Sequence, residues 1–141
     1  RMNPPIRDEI HQQGLWQGLM DGTVDMIGSD HAPHSLEEKK RPYAESPSGM
    51  PGVQTLLPVM LNHYNLGRLS LEKLVQLTSS NSARIFGIRN KSLIAKGYDA
   101  YLVVVDLKKK WKIDFLQDMK VYFKMTRISL KSFLMFLWIC L

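Results

Sequence analysis

Residues 24–34 constrain this chain more than any other segment, because a short apolar stretch ends abruptly in ionisable side chains. Asp30, His31 and His34 lie within five positions of each other, with a proline between the two histidines. This order is typical of a buried strand whose last side chains enter a cleft, and in barrels of parallel strands the chemistry lies at the carboxyl ends of the strands. A carboxylate and two imidazoles offer a metal ligand, a proton acceptor and a hydrogen-bond donor to an anion. The alternative is a polar turn in which the acid caps the next segment.

Length and composition are those of a small globular protein with one modest core. The chain has 141 residues, of which 45% are hydrophobic and 23% are charged. Half of the formal net charge of +6 lies in the last 27 residues. A positive excess can attract nucleic acid or anionic lipid. No basic face with interleaved aromatic residues accompanies it, so we expect no nucleic-acid partner.

The sequence favours a cytoplasmic location. Cys140 is the single cysteine, so no intramolecular disulfide argues for an oxidising compartment. Residues 1–5 show no secretory signal, and the chain begins as if inside a longer protein. The uncharged run at 132–141 is ten residues long, which is short of the about 20 that span a bilayer. A membrane partner is therefore not expected, and a membrane-surface segment in the tail is the weaker alternative.

The predicted elements follow the order helix, strand, long loop, helices and strands. Helices are predicted at 8–20, 53–64, 70–82 and 79–88, strands at 24–28 and 101–106, and a long loop at 31–51. Pro58 is expected to kink its helix, and Ser70 to cap the helix that follows it. This order is typical of the closing units of an α/β barrel followed by a small β domain. A complete barrel needs about 200 or more residues, so the chain holds only part of one.

The character of the sequence changes after Asp114. Residues 115–141 contain no glycine or proline and accumulate phenylalanine, methionine and leucine. We interpret this tail as frameshifted or disordered: the reading frame of a longer gene is lost near Asp114, and the tail was never selected to fold.

Five motifs occur in order along residues 1–114. They are Asn-Pro-Pro-Ile-Arg at 3–7, Ser-Asp-His-Ala-Pro-His at 29–34 with Leu-Glu-Glu-Lys at 36–39, Gly-Met-Pro-Gly-Val-Gln-Thr at 49–55, Thr-Ser-Ser-Asn-Ser-Ala-Arg-Ile-Phe-Gly at 78–87, and Gly-Tyr-Asp-Ala at 97–100 before an apolar run. In these motifs the chain resembles dihydroorotases of the amidohydrolase superfamily. Allantoinases and hydantoinases share the first turn and the Ser-Asp-His, so a parent of that type is the weaker alternative.

The resemblance implies an incomplete α/β fold: the C-terminal part of an amidohydrolase (β/α)8 barrel plus strands of a small β domain. Residues 1–88 would supply the end of the seventh strand, the eighth strand, the long loop and the closing helices. Residues 89–114 would supply strands of the small β domain. Residues 115–141 would lie outside the family.

The same resemblance implies roles for individual residues. Asp30 would end the eighth strand, contact the zinc site as a metal ligand, and act as general base and acid. His34 and Asn3 would hydrogen-bond the substrate, and backbone groups at Ser48 and Gly49 would close on its ring. His31 faces the other way on a strand, so we expect it to be structural. The implied reaction is the reversible hydrolysis of dihydroorotate to N-carbamoyl-L-aspartate in pyrimidine biosynthesis.

Most of the family's zinc ligands cannot be placed in this sequence. The family also uses a His-x-His from the first strand, a bridging carboxylated lysine or aspartate, and two further histidines. A catalytic zinc site takes three protein ligands and a water, so Asp30 is not expected to hold the ion in this chain alone. We therefore expect a C-terminal fragment that is inactive alone and docks on a separately encoded N-terminal half. The alternative is a non-catalytic partner of another enzyme of the pathway, or a relic.

Overall fold

The computed structural model describes residues 1–110, and the regular structure of this part is helical. The elements are α1 (Glu9–Asp21), α2 (Leu36–Lys39), α3 (Leu56–Asn65), α4 (Leu71–Val75), a π-helical segment (Gln76–Ser80) and α5 (Asn81–Ile85). The interpretation of residues 115–141 as a frameshifted or membrane-surface tail lies outside the described residues.

Helix α1 lies close to its predicted bounds. It follows Asp8 and ends at Gly22, whose φ of 90° is a conformation that glycine adopts without a steric penalty. One side of the helix packs on the core through Trp16. Ile10 and Leu15, in contrast, are 71% and 63% exposed. Nothing among the described residues covers these two side chains.

The helical stretch from α4 to α5 begins as the sequence predicts. The Ser70 hydroxyl accepts a hydrogen bond from the Lys73 amide at 3.1 Å, which confirms the predicted N-cap. The structure gives no reason to expect the predicted kink at Pro58, because α3 begins at Leu56, two residues before the proline. Pro58 thus lies in the first turn, where backbone amides have no intrahelical acceptor.

The core is small and lies between the helices. Within residues 1–110, four buried residues form it: Met60, Leu69, Leu74 and Leu77. Residues packed against this cluster are partly buried: Trp16, Leu19, Ile27, Leu57, Leu61 and Tyr64. Leu77 is the most enclosed of them, with 1% of its surface exposed. The core therefore centres on the π-helical segment, where Leu77 lies.

The segment predicted as a strand at 24–28 is held by this helical stretch. The Ile27 amide donates to the Leu77 carbonyl at 3.1 Å. The side-chain amide of Asn81 donates to the Asp25 carbonyl at 2.7 Å. The Arg84 guanidinium forms an ion pair with the Asp25 carboxylate at 2.8 Å. These contacts fix the approach of the chain to Asp30.

The predicted strands at 24–28 and 101–106 are not observed in residues 1–110. The described residues contain one isolated parallel bridge, between His31 and Met50. A strand exists only where a neighbour exchanges backbone hydrogen bonds with it, and in the described part neither segment has such a neighbour. Val104 is accordingly 98% exposed. The predicted loop at 31–51 contains one helix that the sequence analysis missed, the four-residue α2.

No helix within residues 1–110 is long and apolar enough to cross a membrane.

Candidate functional site

The segment that follows Asp30 lies against the end of the long loop. The Ala32 amide donates to the Met50 carbonyl at 3.1 Å, and the parallel bridge joins His31 to Met50. Asp30 and His34 flank this contact on one segment, and Ser48 and Gly49 precede it on the other. The N-terminal segment that carries Asn3 is joined to the same loop, because the Arg1 carbonyl accepts from Lys39 and the Arg1 guanidinium donates to the Ser46 carbonyl. The structure thus brings together the three segments that carry predicted site residues.

His31 fixes this junction through its ring. Its Nδ1 accepts hydrogen bonds from the backbone amides of Gly52 at 3.0 Å and Val53 at 3.2 Å. An accepting Nδ1 carries no proton, so the neutral ring holds its proton on Nε2. Burial lowers the pKa of His31, which favours this neutral form. The geometry gives His31 a structural role, as expected from the sequence.

Two glycines allow the loop to approach the Asp30 segment closely. A Cβ on Gly49 would lie 2.5 Å from the Ala32 Cβ and 2.9 Å from the Ala32 carbonyl oxygen, and the φ of Gly49 is 108°. A Cβ on Gly52 would lie 2.5 Å from the Ser29 carbonyl oxygen. The loop can close on this segment only because both positions lack a side chain.

Replacing Gly52 with alanine is expected to destabilise the chain by about 1–3 kcal/mol, the usual range for overpacking. The new methyl group would displace the backbone beside Asp30 and break the bonds to His31. Gly14→Ala is the matched control, because a Cβ there meets nothing within 4 Å and alanine is the better helix former. Urea unfolding followed by circular dichroism measures both. Equal free energies of unfolding in the two variants would contradict the close approach at Gly52.

The Asp30 side chain is available to a ligand. Asp30 is exposed, and its carboxylate makes no hydrogen bond or ion pair with another residue of the described part. Its φ is 43°, in the left-handed region, which aspartate and asparagine tolerate better than most residues. Asn3 is also exposed.

His34 lies beside a capping box that fixes the start of α2. The Ser35 hydroxyl accepts from the Glu38 amide at 3.2 Å, and the Glu38 carboxylate accepts from the Ser35 amide at 2.8 Å. The second bond holds the pKa of Glu38 below its usual value. His34 Nδ1 lies 3.9 Å from the Glu38 carboxylate, and 29% of the His34 side chain is exposed. His34 is thereby held near a carboxylate while part of its ring faces solvent.

A second histidine is half-buried at the contact between α1 and α3. The His63 ring packs edge-on against Trp16, with ring centroids 4.6 Å apart. His63 Nδ1 is buried and has no hydrogen-bond partner among the described residues. Burial, followed by the positive charge of Arg68, lowers the pKa of His63. Protonation of the His63 ring would place a positive charge in this apolar contact, in addition to the nearby charge of Arg68.

We expect the chain to lose stability as the pH falls below about 6.5, the ordinary histidine pKa. The pKa values of His31 and His63 are lowered by folding, so the unfolded chain takes up protons first and proton uptake favours unfolding. The loss begins near the ordinary pKa and is complete below the pKa values of the folded state. Urea midpoints at pH 7.5 and 5.5 measure it. His31→Gln/His63→Gln should flatten this profile, and a steeper profile in the double variant would contradict the assignment. Carboxylates with lowered pKa values, such as Glu38, act only at more acidic pH.

The described residues do not by themselves fit a catalytic metal site. Nowhere in residues 1–110 do three or more histidine, cysteine, aspartate or glutamate side chains group so that they could hold a metal ion. Asp30 stands without the further ligands that a zinc centre needs. What this part of the chain offers is a carboxylate, a partly exposed imidazole and a closely packed backbone turn.

Comparison with known protein families gives the class of this protein. The Amidohydrolase family matches residues 7–129, most of the chain, and the chain belongs to this family. The match extends past residue 114, and the domain boundary expected near that position stays a prediction.

Among curated proteins, the chain is similar to dihydroorotases. It is 44% identical over 106 residues to the dihydroorotase of Halobacterium salinarum, covering 75% of this chain and 25% of that protein. Identity to the dihydroorotase of Methanosarcina mazei is 47% over 111 residues, covering 75% and 24%. Identity to that of Pyrococcus abyssi is 43% over 113 residues, covering 80% and 26%. The chain thus spans about a quarter of the length of these relatives.

Solved structures support the amidohydrolase fold. The L-hydantoinase (dihydropyrimidinase) from Arthrobacter aurescens superposes with a TM-score of 0.66 at 37% identity, covering 71% of this chain and 23% of that one. The D-hydantoinase from Bacillus sp. AR9 superposes with a TM-score of 0.61 at 30% identity, covering 70% and 23%. The helices and connecting segments therefore adopt the arrangement of one part of an amidohydrolase.

Sequence reasoning missed the residues that hold the segments of the site together. These are Gly52, whose amide bonds His31, and Lys39, whose ammonium bonds the loop carbonyls. Gly52 had a detectable signal, since glycines three residues apart in a loop indicate close backbone approach. Lys39 lies in the Leu-Glu-Glu-Lys motif at 36–39, but the motif does not show what the ammonium binds, and a lysine in the last turn of a short helix is usually solvated.

Proposed function

We propose that this chain is part of a dihydroorotase-like cyclic amide hydrolase, which hydrolyses dihydroorotate reversibly to N-carbamoyl-L-aspartate in pyrimidine biosynthesis. One observation carries the proposal: the segment of Asp30 and His34 packs directly against the turn of Ser48 and Gly49. This packing occurs in a chain that is 43–47% identical to three dihydroorotases over 106–113 residues. The segment that carries this carboxylate and this imidazole is the one that packs against the glycine-containing turn through Ala32.

The proposed chemistry assigns a proton transfer to Asp30. Its exposed carboxylate accepts the proton of the attacking water and returns it to the ring nitrogen as the amide bond breaks. No bond to the described residues has to be broken for either step. A carboxylate that is otherwise engaged would serve less well, because each existing hydrogen bond would have to be given up during the transfer.

The remaining predicted residues bind the substrate in this proposal. His34 donates to the substrate carboxylate from the partly exposed edge of its ring. Asn3 hydrogen-bonds the same ligand, and backbone groups of Ser48 and Gly49 close on the ring. Gly49 itself is buried, because its missing side chain lets the turn pack against Ala32, whereas Ser48 is half-buried.

We propose that the active protein needs a complement to this chain. Asp30 is a single ligand, and the described residues add no cluster that would complete a zinc centre. The zinc expected from the family would take its other ligands from a separately encoded N-terminal half. In that assembly residues 1–88 form barrel units and residues 89–114 form strands of the small β domain, because partner strands would then lie beside them. A cytoplasmic location is part of the same proposal.

A hydantoinase-type activity is the second candidate. The similarity to the L-hydantoinase and D-hydantoinase structures favours it. Both candidates cleave a cyclic amide, and they differ in the ring that is bound. A non-catalytic partner or relic remains the third candidate, and it is favoured by the incomplete set of ligands in the described part.

The test is to purify the chain alone and with an N-terminal portion that supplies the His-x-His, and to add zinc. Cyclisation of N-carbamoyl-L-aspartate is then measured beside hydrolysis of a hydantoin. Turnover of carbamoyl-aspartate by the pair, but not by the chain alone, is expected. Turnover of the hydantoin alone would support the second candidate, and no turnover of either compound by the pair would support the third. Turnover by the chain alone would overturn the need for a complement.

A further inference from the structure

The Lys39 ammonium joins segments that lie far apart in the sequence. Its Nζ donates to the carbonyl oxygens of Arg1 at 3.0 Å, Pro47 at 2.9 Å and Gly49 at 2.9 Å. An ammonium group has three N–H donors, so these bonds use its full donor capacity. All three acceptors are backbone carbonyls, and Lys39 therefore fixes the path of the main chain at each of them.

The backbone of Lys39 is itself held in place. Its amide donates to the Ser35 carbonyl at 3.0 Å, within the short helix that the capping box begins. Its carbonyl accepts from the hydroxyl of Ser46 at 3.3 Å, and Ser46 is only 4% exposed. Hydrogen bonds to both the amide and the carbonyl of Lys39 therefore fix the backbone from which the ammonium group extends.

The bonded carbonyls lie next to the proposed substrate contacts. Arg1 is two residues before Asn3, and Pro47 and Gly49 flank Ser48 on both sides. The helix that carries Lys39 begins two residues after His34. We propose that Lys39 is a positioning residue that sets the relative placement of the three substrate-binding segments, an inference that rests on the proposed function. Lys39 touches no reacting atom in this arrangement and acts through the backbones that it ties.

The type of cation matters for this role. An ammonium is a compact charge whose three donors converge from one nitrogen, whereas a guanidinium is a planar fork. The three carbonyls of Arg1, Pro47 and Gly49 converge on one atom. Lys39→Arg should therefore hold the three segments less firmly than Lys39 does, but more firmly than Lys39→Met. Lys40→Met is the matched control, because Lys40 is an exposed neighbour whose ammonium bonds no other described residue.

Hydrogen exchange on the full 141-residue chain tests the tie without any substrate. Lys39→Met is expected to speed exchange of the Ala32 and Gly52 amides by about tenfold or more, the factor that a loss of 1.4 kcal/mol gives. Amides of α4 and α5 should keep their rates, and Lys40→Met should keep all of them. Unchanged rates at Ala32 and Gly52 in Lys39→Met would overturn the proposal. Equal acceleration across α4 and α5 would also overturn it, because Lys39 would then support the fold as a whole.

Kinetics of the assembled enzyme test the consequence for substrate. Lys39→Met should raise KM by about tenfold or more with a smaller change in kcat, because binding contacts are displaced while Asp30 is untouched. Lys39→Arg should fall between this variant and the wild type. A fall in kcat at unchanged KM would overturn the positioning role. If the wild-type assembly turns over no cyclic amide, the proposed function fails, and the exchange rates alone decide whether Lys39 ties the three segments.

Discussion

Asp30→Asn is expected to lower the kcat of the assembled enzyme by about 10²–10⁴-fold, the range for loss of a general acid–base group. The amide has the size of the carboxylate, but it cannot accept and return a proton at neutral pH. The substitution should leave the fold intact, because the Asp30 carboxylate bonds no other described residue. The φ of 43° is also one that asparagine adopts readily. Loss of activity without loss of stability is therefore the expected combination.

Asp25→Asn is the control for this experiment. Asp25 precedes Asp30 on the same segment, and its carboxylate forms an exposed ion pair with Arg84. Weakening that pair should cost about 0.2–1 kcal/mol of stability and leave kcat within a factor of two or three. Thermal unfolding and initial rates are measured on both variants. An Asp30→Asn enzyme with wild-type kcat would exclude Asp30 as the proton carrier.

Leu77→Ala is expected to destabilise the chain by about 2–5 kcal/mol, the range for truncating a buried leucine. Leu77 is 1% exposed and belongs to the cluster of four buried residues that forms the core of residues 1–110. A domain of ordinary stability has about 5–15 kcal/mol in total, so one truncation removes a large share. The Leu77 carbonyl also holds Ile27, and the loss should therefore loosen the segment that leads to Asp30.

Leu15→Ala supplies the same substitution at an exposed site. Leu15 is 63% exposed in the middle of α1, and alanine is the stronger helix former. Its free energy of unfolding should stay within about 0.5 kcal/mol of the wild type. Urea unfolding monitored by circular dichroism compares the two variants. A similar loss in both would mean that residues 56–85 do not form the core that stabilises this chain.

The helices other than α2 were predictable from the sequence because their signals are local, and α2 was missed although its capping box is local too. Ser70 caps its helix through a residue three positions away, and Gly22 ends α1 by its own backbone conformation. The strands were not predictable to the same degree. Residues 101–106 have strong β propensity, yet pairing depends on a neighbour, and the described part supplies none.

The candidate site divides in the same way. The string from Asp30 to His34 was identifiable because several chemical groups follow one apolar stretch. Gly49 lies close to that string because the loop between them closes. The number of residues in a loop does not determine how it closes. Lys39 bonds residues 38 positions before it and ten positions after it in the sequence. Only the three-dimensional structure shows these contacts.

The apolar side chains that α1 and the last described segment present to solvent bear on how a cell handles this polypeptide. Ile94 and Val104 are 91% and 98% exposed, and Ile10 is 71% exposed. Chaperones bind exposed apolar surfaces of this kind on newly made chains, and quality-control proteases degrade the chains that carry them. Synthesis without a complement should therefore give a short cellular half-life, and co-expression with the complementary half should lengthen it.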